Sequence, residues 1–171
     1  MRGAENAMTR YEKQNKVVLS TDELRKDLAG MSHEAHAFES PGAGIYREEF
    51  SELVYRELMV RARQLLQRGE SVLLDGSWTR AVRRAAAREL AASKELQLVE
   101  LRCVLDPAQA RERVARRLAT MFDPSDATPP IADFLAATAE AWPESHCLDT
   151  SQPLAAVVAE AARVLTSTTS R

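Results

Sequence analysis

Residue types that mark several protein classes are scarce in this sequence of 171 residues. It contains two cysteines and three histidines, and aromatic residues make up 5% of it. Two cysteines exclude a small scaffold held by disulfides, and so few aromatic residues leave no stacking platform for RNA. No apolar run approaches the roughly 20 residues of a membrane span, and the N-terminus has no apolar signal core. We therefore expect a cytoplasmic protein with no membrane partner.

The two cysteines, Cys103 and Cys147, both fall in apolar stretches that are typical of strands. Free cysteine is among the most buried residue types in proteins. We therefore expect two reduced, buried thiols rather than a disulfide or a metal pair.

The charges are nearly balanced, with 23 Lys and Arg against 25 Asp and Glu and a formal net charge of -2. This balance argues against nucleic acid as a partner. The arginines cluster between Arg80 and Arg117, and clustered arginine suits oxyanions such as phosphate. On the helix that carries Arg80, Arg83, Arg84 and Arg88, a solvated arginine face is the commoner outcome, and a face that meets phosphates is the other interpretation.

Short apolar runs alternate with helical patterns along the whole chain, which predicts an α/β fold, a parallel sheet with helices on both faces. We expect an N-terminal arm at 1–15, one domain at 16–166 and a polar tail at 167–171. The predicted strands are 16–20, 71–75, 96–105 and 146–149. The predicted helices are 21–30, 47–68, 79–93, 106–119, 129–140 and 153–165.

Two aspartates follow predicted strands. Asp75 comes directly after the apolar run Val72-Leu73-Leu74, and Asp22 follows the strand at 16–20. Ligands bind at the carboxyl edge of such sheets, so these acids are candidates for holding Mg²⁺ or orienting a substrate. The other interpretation, acids that only cap helices, stays open.

Five segments, taken in order, resemble the P-loop kinases of the zeta-toxin and gluconate-kinase type, often labelled AAA-like kinases. The resemblance runs from about Val17 to Leu165 and implies a P-loop NTPase-like fold that uses ATP and Mg²⁺. The segments are Val-Leu-Ser-Thr-Asp-Glu-Leu-Arg at 18–25, Gly-Ile-Tyr at 44–46, Val-Leu-Leu-Asp-Gly-Ser-Trp at 72–78, Arg-Glu-Arg-Val-Ala-Arg-Arg at 111–117 and Leu-Asp-Thr-Ser at 148–151.

In the first half of the chain, the resemblance implies residues for the acceptor and the metal. Asp22 matches the acid that accepts the proton of the substrate hydroxyl or helps to hold Mg²⁺. Asp75 matches the acid of the second strand, of the Walker B type, which also serves Mg²⁺. Arg25 and Tyr46 match positions beside the small-molecule substrate.

In the second half, the resemblance implies residues for the nucleotide. Arg113, Arg116 and Arg117 match a lid whose arginines stabilise charge on the transferring phosphoryl group. Asp149 and Thr150 match the loop beside the adenine.

The sequence departs from this family at the motif that defines it. These kinases begin with a strand that leads into Gly-x-x-x-x-Gly-Lys-Ser/Thr, whose backbone amides hold the phosphates. No such segment occurs in the 171 residues, so the first strand and the phosphate-binding loop are missing. Two functions stay open. One is an ATP-dependent phosphotransferase domain acting on a hydroxyl, not competent alone, and the other is a non-catalytic binding or interaction module.

The missing strand would lie in the middle of the sheet, between the strands at 72–75 and 98–104. Each buried backbone group left without a partner costs roughly 1–3 kcal/mol. We therefore expect these two strands to pair directly, or a homodimer or another strand-donating partner to fill the gap.

Overall fold

The computed structural model describes residues 16–35, 37, 42–120 and 128–169, so the predicted arm at 1–15 lies outside the described residues. The strands are β1 (Lys16–Ser20), β2 (Ser71–Asp75), β3 (Leu101–Val104) and β4 (His146–Asp149). The helices are α1 (Thr21–Ala29), a short 3-10 helix (Gly44–Tyr46), α2 (Glu48–Gln67), α3 (Ala81–Ala92), α4 (Pro107–Thr120), α5 (Pro129–Thr138) and α6 (Leu154–Thr169). The predicted α/β class with parallel strands is confirmed.

The strands form two parallel pairs. β1 pairs with β2 in a register that sets Ser20 beside Asp75, and β3 pairs with β4 in a register that sets Val104 beside Asp149. Within the described residues no ladder joins β2 to β3. The expected direct pairing of these two strands is therefore wrong for this part of the chain.

The main core lies where α1, α2 and α3 meet β1 and β2. Val54 and Leu58 on α2 are 0% exposed, and burying a side chain of this size contributes roughly 1.5–3 kcal/mol. Around them pack Leu24, Tyr55, Trp78 and Ala87. This core fixes the carboxyl ends of β1 and β2 relative to the helices that follow them.

β3 is shorter than the predicted strand at 96–105. Leu96 and Leu98 are 42% and 37% exposed, and the strand begins at Leu101. The peptide N–H of His146 donates to the Glu100 carbonyl at 2.8 Å, where the ladder with β4 starts. Apolar residues alone do not make a strand, because the backbone also needs a neighbour to bond with.

Both cysteines are free and exposed, so the expectation that they are buried is wrong. The register sets Cys103 beside Leu148 and Cys147 beside Arg102. Side chains of adjacent positions along a strand point to opposite faces, so the two thiols lie on opposite faces of this pair.

The last helix continues to Thr169, beyond the predicted end at residue 165. The Thr166 hydroxyl donates to the Ala162 carbonyl at 3.1 Å, and the Ser167 hydroxyl donates to the Val164 carbonyl at 3.0 Å. These bonds let polar residues continue a helix that their composition alone does not predict. None of the helices in the described part of the chain has both the length and the apolar character needed to cross a membrane.

Candidate functional site at the carboxyl edge of the first strand pair

The Ser20 hydroxyl and the Asp75 carboxylate meet at the carboxyl edge of β1 and β2, where α1 begins. Ser20 is the N-cap of α1, and its hydroxyl oxygen accepts the Asp22 N–H at 3.3 Å. The same hydroxyl donates to the Asp75 carboxylate at 3.5 Å. Asp22 is half-buried and Asp75 is exposed. The structure thus places both sequence-predicted acids at one edge, Asp75 at the end of β2 and Asp22 in the first turn of α1.

The turn after β2 is held in an unusual backbone conformation. Trp78 has a φ of 49°, a left-handed conformation that costs a non-glycine residue on the order of 1–3 kcal/mol. The Trp78 N–H donates to the Tyr55 hydroxyl at 3.1 Å, and its indole N–H donates to the Leu74 carbonyl at 3.3 Å. The Tyr55 and Trp78 rings also pack edge to face, 5.1 Å apart. These contacts offset the strain and fix the residues that follow Asp75.

Gly76 allows this turn to approach α1 closely. A Cβ at this position would lie 2.8 Å from Cγ2 and 2.9 Å from Oγ1 of Thr21, and 3.1 Å from the Tyr55 hydroxyl. Only glycine fits without displacing the neighbouring atoms. The close approach of the turn after Asp75 to the start of α1 therefore depends on a residue that has no side chain.

Arg25 is buried beside Asp22, where it joins α1 to the 3-10 helix. It is 6% exposed, donates to the Ile45 carbonyl and to the Ser51 hydroxyl, and lies 4.8 Å from the centre of the Tyr46 ring. Burial lowers the pKa of the guanidinium, while Tyr46 and Asp22 act in the opposite direction. Its Nε is buried and has no hydrogen-bond partner among the described residues. The structure thus brings Arg25 and Tyr46 together beside Asp22.

The arginines of α3 do not form the solvated face that the sequence analysis offered as the alternative to phosphate binding. Arg83 is 8% exposed and pairs with Glu48 at 3.1 Å and with Glu52 at 2.8 Å. Its guanidinium also lies 4.5 Å from the centre of the Tyr55 ring. Carboxylates on α2, which the sequence analysis did not consider, occupy this arginine.

Arg84 is the most buried of these arginines, at 3% exposed. It donates to the Trp78 carbonyl at 2.7 Å and to the Ala141 carbonyl at 2.6 Å, and it lies 5.1 Å from the centre of the Trp142 ring. It therefore ties the turn after β2 to the segment that follows α5.

Glu140, which the sequence analysis did not single out, reinforces this tie. Its carboxylate accepts the Ala81 N–H at the start of α3 and pairs with Arg80 at 3.1 Å. Its own N–H donates to the Thr79 carbonyl at 2.9 Å. No local pattern marks Glu140, because its partners lie about 60 residues earlier in the chain.

A second tie links α3 to the start of β3. Arg88 donates to both carboxylate oxygens of Glu100, at 2.6 and 2.8 Å, and the Trp142 indole N–H donates to the same carboxylate. The Arg88 hydrogen bonds lower the pKa of Glu100 most, burial opposes them, and Trp142 adds to the lowering. This cluster holds the two strand pairs together at the amino end of β3.

The three predicted lid arginines lie on α4. Arg113 donates to the Thr150 carbonyl at 2.6 Å, and Arg116 pairs with Glu112 at 2.6 Å. Arg117 is half-buried on the same helix. Arg113 thus brings α4 to the end of β4, where the two residues predicted for the nucleotide, Asp149 and Thr150, follow each other.

Asp149, the first of those two residues, caps the turn before α6. It accepts bonds from the Ser151 hydroxyl at 2.6 Å, the Ser151 N–H at 2.9 Å and the Gln152 side chain at 3.3 Å. The hydrogen bond from the Ser151 hydroxyl lowers the pKa of Asp149 most. Thr150, the other residue predicted to lie beside the adenine, donates its hydroxyl to the Val104 carbonyl at 3.0 Å.

A model of the AAA domain family matches residues 5–140 of this sequence. The chain belongs to the AAA domain family. This AAA domain is 37% identical over 139 residues to uncharacterized proteins of Mycobacterium bovis and Mycobacterium tuberculosis. The match covers 80% of the chain and 27% of each relative, so the chain spans about a quarter of the length of the curated relatives it matches.

A solved structure shows the same fold at low sequence identity. The AAA domain superimposes on a gluconokinase from Sinorhizobium meliloti with a TM-score of 0.64 and 17% identity. The alignment covers 96% of this chain and 85% of the gluconokinase. The likeness confirms the predicted P-loop kinase-like α/β fold.

The acids of the AAA domain suit one kind of metal site. Among the residues that the structure describes, no group of three or more His, Cys, Asp or Glu side chains could hold a metal ion. Mg²⁺ in phosphotransferases is commonly bound by one or two carboxylates, and phosphate and water supply the remaining ligands. The pair of Asp22 and Asp75 fits that pattern.

Proposed function

We propose that this chain forms the acceptor side of an ATP-dependent phosphotransferase that acts on a hydroxyl of a small molecule. The observation that carries the proposal is the position of both acids at one strand edge, where the Ser20 hydroxyl contacts the Asp75 carboxylate and caps the helix that contains Asp22 in its first turn. Phosphoryl transfer to a hydroxyl needs a base for the hydroxyl proton and an acid for the metal, close together. The family match and the kinase-like fold support the same assignment.

In this proposal the two acids have different roles because their surroundings differ. Asp22 is half-buried beside Arg25 and accepts the proton of the acceptor hydroxyl. Asp75 is exposed at the end of β2 and holds Mg²⁺. ATP, when bound with Mg²⁺, supplies the phosphoryl group. Arg25 and Tyr46 border the acceptor and fix the position of the 3-10 helix above it.

The lid residues serve the nucleotide in this proposal. Arg113, Arg116 and Arg117 lie on one helix and stabilise negative charge on the transferring group. For Arg113 this requires leaving the carbonyl of Thr150, to which it now donates. Asp149 and Thr150 lie beside the adenine.

The proposal includes a limit on what these 171 residues do by themselves. They contain no Gly-x-x-x-x-Gly-Lys-Ser/Thr segment, and in this fold that loop provides most of the affinity for phosphate. We infer that the chain transfers phosphate only when such a loop is supplied to it.

A second candidate function is a non-catalytic binding or interaction module. The observation that favours it is that four arginines already form hydrogen bonds within the chain. Arg83, Arg84 and Arg88 all bind carboxylates or carbonyls of the chain itself, as does Arg113 on α4. Arginines held in this way stabilise the structure without meeting a phosphate.

The two candidates can be separated by adding the missing motif. A strand followed by Gly-x-x-x-x-Gly-Lys-Ser is attached before residue 16, and ATP binding and ATP turnover are measured with Mg²⁺ and a mixture of small hydroxyl compounds. We expect the extended chain to bind and turn over ATP. Binding without turnover, or no binding, would favour the non-catalytic module.

Substitutions at the acids then test the assigned roles in the extended chain. Asp22→Asn removes the base and should lower turnover by about 10²- to 10⁴-fold with little change in ATP binding. Asp75→Asn should also lower turnover, and in addition it should weaken the binding of Mg²⁺. Asp27→Asn is the matched control, because Asp27 lies on the same helix as Asp22 but pairs with His33 and Arg61. Turnover that survives Asp22→Asn would overturn the role of Asp22.

A further inference from the structure

One buried positive charge in this structure is surrounded by neutral groups. Arg25 is 6% exposed. Its guanidinium donates to the Ile45 carbonyl and to the Ser51 hydroxyl, and the centre of the Tyr46 ring lies 4.8 Å away. Its Nε is buried and has no hydrogen-bond partner among the described residues. Buried charges are commonly paired with an opposite charge, because an unpaired one is costly. The Arg25 guanidinium therefore has the capacity to bind a negatively charged group.

The two buried arginines of α3 have acids near them. Arg83 pairs with two carboxylates of α2. Arg84 donates to two carbonyls, and a carboxylate is close to it as well: Arg88 lowers the pKa of Glu100 most, and the charge of Arg84 adds to the lowering. Arg25 differs from both. Burial lowers the pKa of Arg25 most, and the positive charge of Arg83 lowers it further.

Arg25 lies one helical turn after Asp22, the base of the proposed reaction. Residues three apart on a helix are neighbours on its surface and lie about 4.5 Å apart along its axis. The charge of Asp22 opposes the effect of burial on the pKa of Arg25, so the two side chains are close in space as well. A small molecule whose hydroxyl lies at Asp22 can therefore reach Arg25 with a second group.

The segment that covers Arg25 is a thin part of the structure. The 3-10 helix above it contains no buried residue, and residues 42–44 are exposed. Gly42 and Gly44 have φ values of 76° and 49°, which glycine adopts without strain. A small shift of this segment exposes the guanidinium to a ligand, while Ser51 on α2 still holds it.

We propose that the acceptor carries a negatively charged group, a carboxylate or a phosphate, which pairs with Arg25 while the hydroxyl of the same molecule lies at Asp22. This inference rests on the proposed function, which makes Asp22 the base. A guanidinium binds two oxygens of a carboxylate or phosphate at once, so Arg25 orients the acceptor as well as attracting it. Asp22 repels the negative group, which keeps the hydroxyl end of the acceptor at the base.

The spacing of Asp22 and Arg25 makes the acceptor, or its reacting end, small. A helical rise of about 4.5 Å corresponds to a hydroxyl and a negative group on the same or on neighbouring carbon atoms. Glycerate and glycerol 3-phosphate both meet this requirement, one with a carboxylate and the other with a phosphate. Glycerol has the same hydroxyls without the charge, so it is the matched neutral compound.

The test titrates the full chain with these three compounds and follows the Nε–H signals of its arginines by NMR. The Arg25 signal is assigned through its own side-chain resonances, so the titration needs no variant. The Nε–H of Arg84 is the internal control, because it is also buried without a hydrogen-bond partner among the described residues. Its guanidinium is bound to the Trp78 and Ala141 carbonyls instead.

We expect glycerate or glycerol 3-phosphate to shift the Arg25 signal in a saturable way, and glycerol to leave it unchanged. The Arg84 signal should stay constant. A shift with only one of the two acids would support the proposal and identify the group as a carboxylate or a phosphate. No shift with either acid, or an equal shift with glycerol, would overturn the proposal.

A substitution then tests the fork of the guanidinium. Arg25→Lys keeps the charge but replaces a planar fork by a point charge, so it should weaken binding of the acid by about tenfold or more. Arg61→Lys is the matched control, because Arg61 is exposed and pairs with Asp27 and Glu57. Equal binding by the Arg25→Lys chain would overturn the role of Arg25.

Failure of this inference differs from failure of the proposed function. In the chain extended by a Gly-x-x-x-x-Gly-Lys-Ser segment, glycerol that is phosphorylated as well as glycerate would support phosphotransfer and overturn the negatively charged acceptor. Saturable binding of the acids at Arg25 without turnover in the extended chain would support the anion site and assign it to a non-catalytic module.

Discussion

The hydroxyl of Ser20 lies 3.5 Å from the carboxylate of Asp75, although 55 residues separate them in the chain. The register of β1 and β2 produces this contact, because it sets the two residues directly beside each other. A slip of one residue would turn the side chains of one strand to the opposite face. The site therefore depends on the pairing of two five-residue strands and on the packing that fixes their register.

Gly76→Ala should destabilise the protein through a clash rather than through backbone strain. The added Cβ would lie within 3 Å of two Thr21 side-chain atoms, and overpacking of this kind costs roughly 1–3 kcal/mol. Urea denaturation of both proteins measures the difference in the free energy of unfolding.

Thr21→Ala provides the matched control for this clash, because it removes both atoms. The double variant should lose less stability than the sum of the two single variants. Additive losses would show that Gly76 does not pack against Thr21.

Arg84→Met should cost about 3 kcal/mol, because it leaves the carbonyls of Trp78 and Ala141 without their charged donor. Arg80→Met is the comparison on the same segment. Arg80 is 45% exposed in its ion pairs with Glu48 and Glu140, and exposed pairs contribute at most about 1 kcal/mol. Denaturation curves for the two variants should differ clearly, and equal losses would contradict the buried role of Arg84.

Stability should fall in acid partly through Glu100. Arg88 holds the pKa of this carboxyl below its unfolded value of about 4.3. Its contribution is therefore complete above that value and is lost as the pH falls through the folded pKa, because the unfolded chain takes up the proton first. Glu100→Gln should lower stability at pH 7 and flatten its decline between pH 5 and lower values. The exposed Glu89→Gln on α3 should leave the profile unchanged, and an unchanged profile for Glu100→Gln would contradict the assignment.

The reactivity of the Cys103 thiol should depend on Asp75. Although the residue as a whole is exposed, desolvation of its thiol and, second, the Asp75 carboxylate raise the pKa of Cys103, so less thiolate is present at pH 8 and alkylation is slow. In a Cys147→Ser background, Asp75→Asn should speed the reaction of Cys103 with iodoacetamide. Asp27→Asn should not, because Asp27 pairs with His33 and Arg61 instead. Equal rates in all three proteins would contradict an effect of the Asp75 carboxylate on the Cys103 thiol.

The fold could be predicted where local chemistry decides it. Ser20 caps α1 as its Ser-x-x-Glu spacing indicated, and the apolar runs before Ser20 and Asp75 are strands. Asp22 and Asp75 each follow a predicted strand, and parallel strands share a carboxyl edge, so both acids could be predicted to lie at that edge. These features follow from residues near each other in the chain.

The rest depends on contacts between distant segments. The helical spacing of the arginines at 80–88 does not reveal Glu52, Glu100 and Glu140, which bind them from other elements. The apolar pattern likewise predicts a strand from residue 96, although the ladder begins only at Leu101. Pattern alone does not show which strand has a neighbour, and that is what decides the exposure of Cys103.

Calorimetric titration of the full chain with ATP and Mg²⁺ tests the central claim most directly. Most affinity for phosphate in this fold comes from the glycine loop that the 171 residues do not contain. We expect a dissociation constant in the millimolar range or weaker, equivalent to about 4 kcal/mol of binding free energy. Micromolar binding would show that these residues form a complete nucleotide site by another route, and would contradict the account.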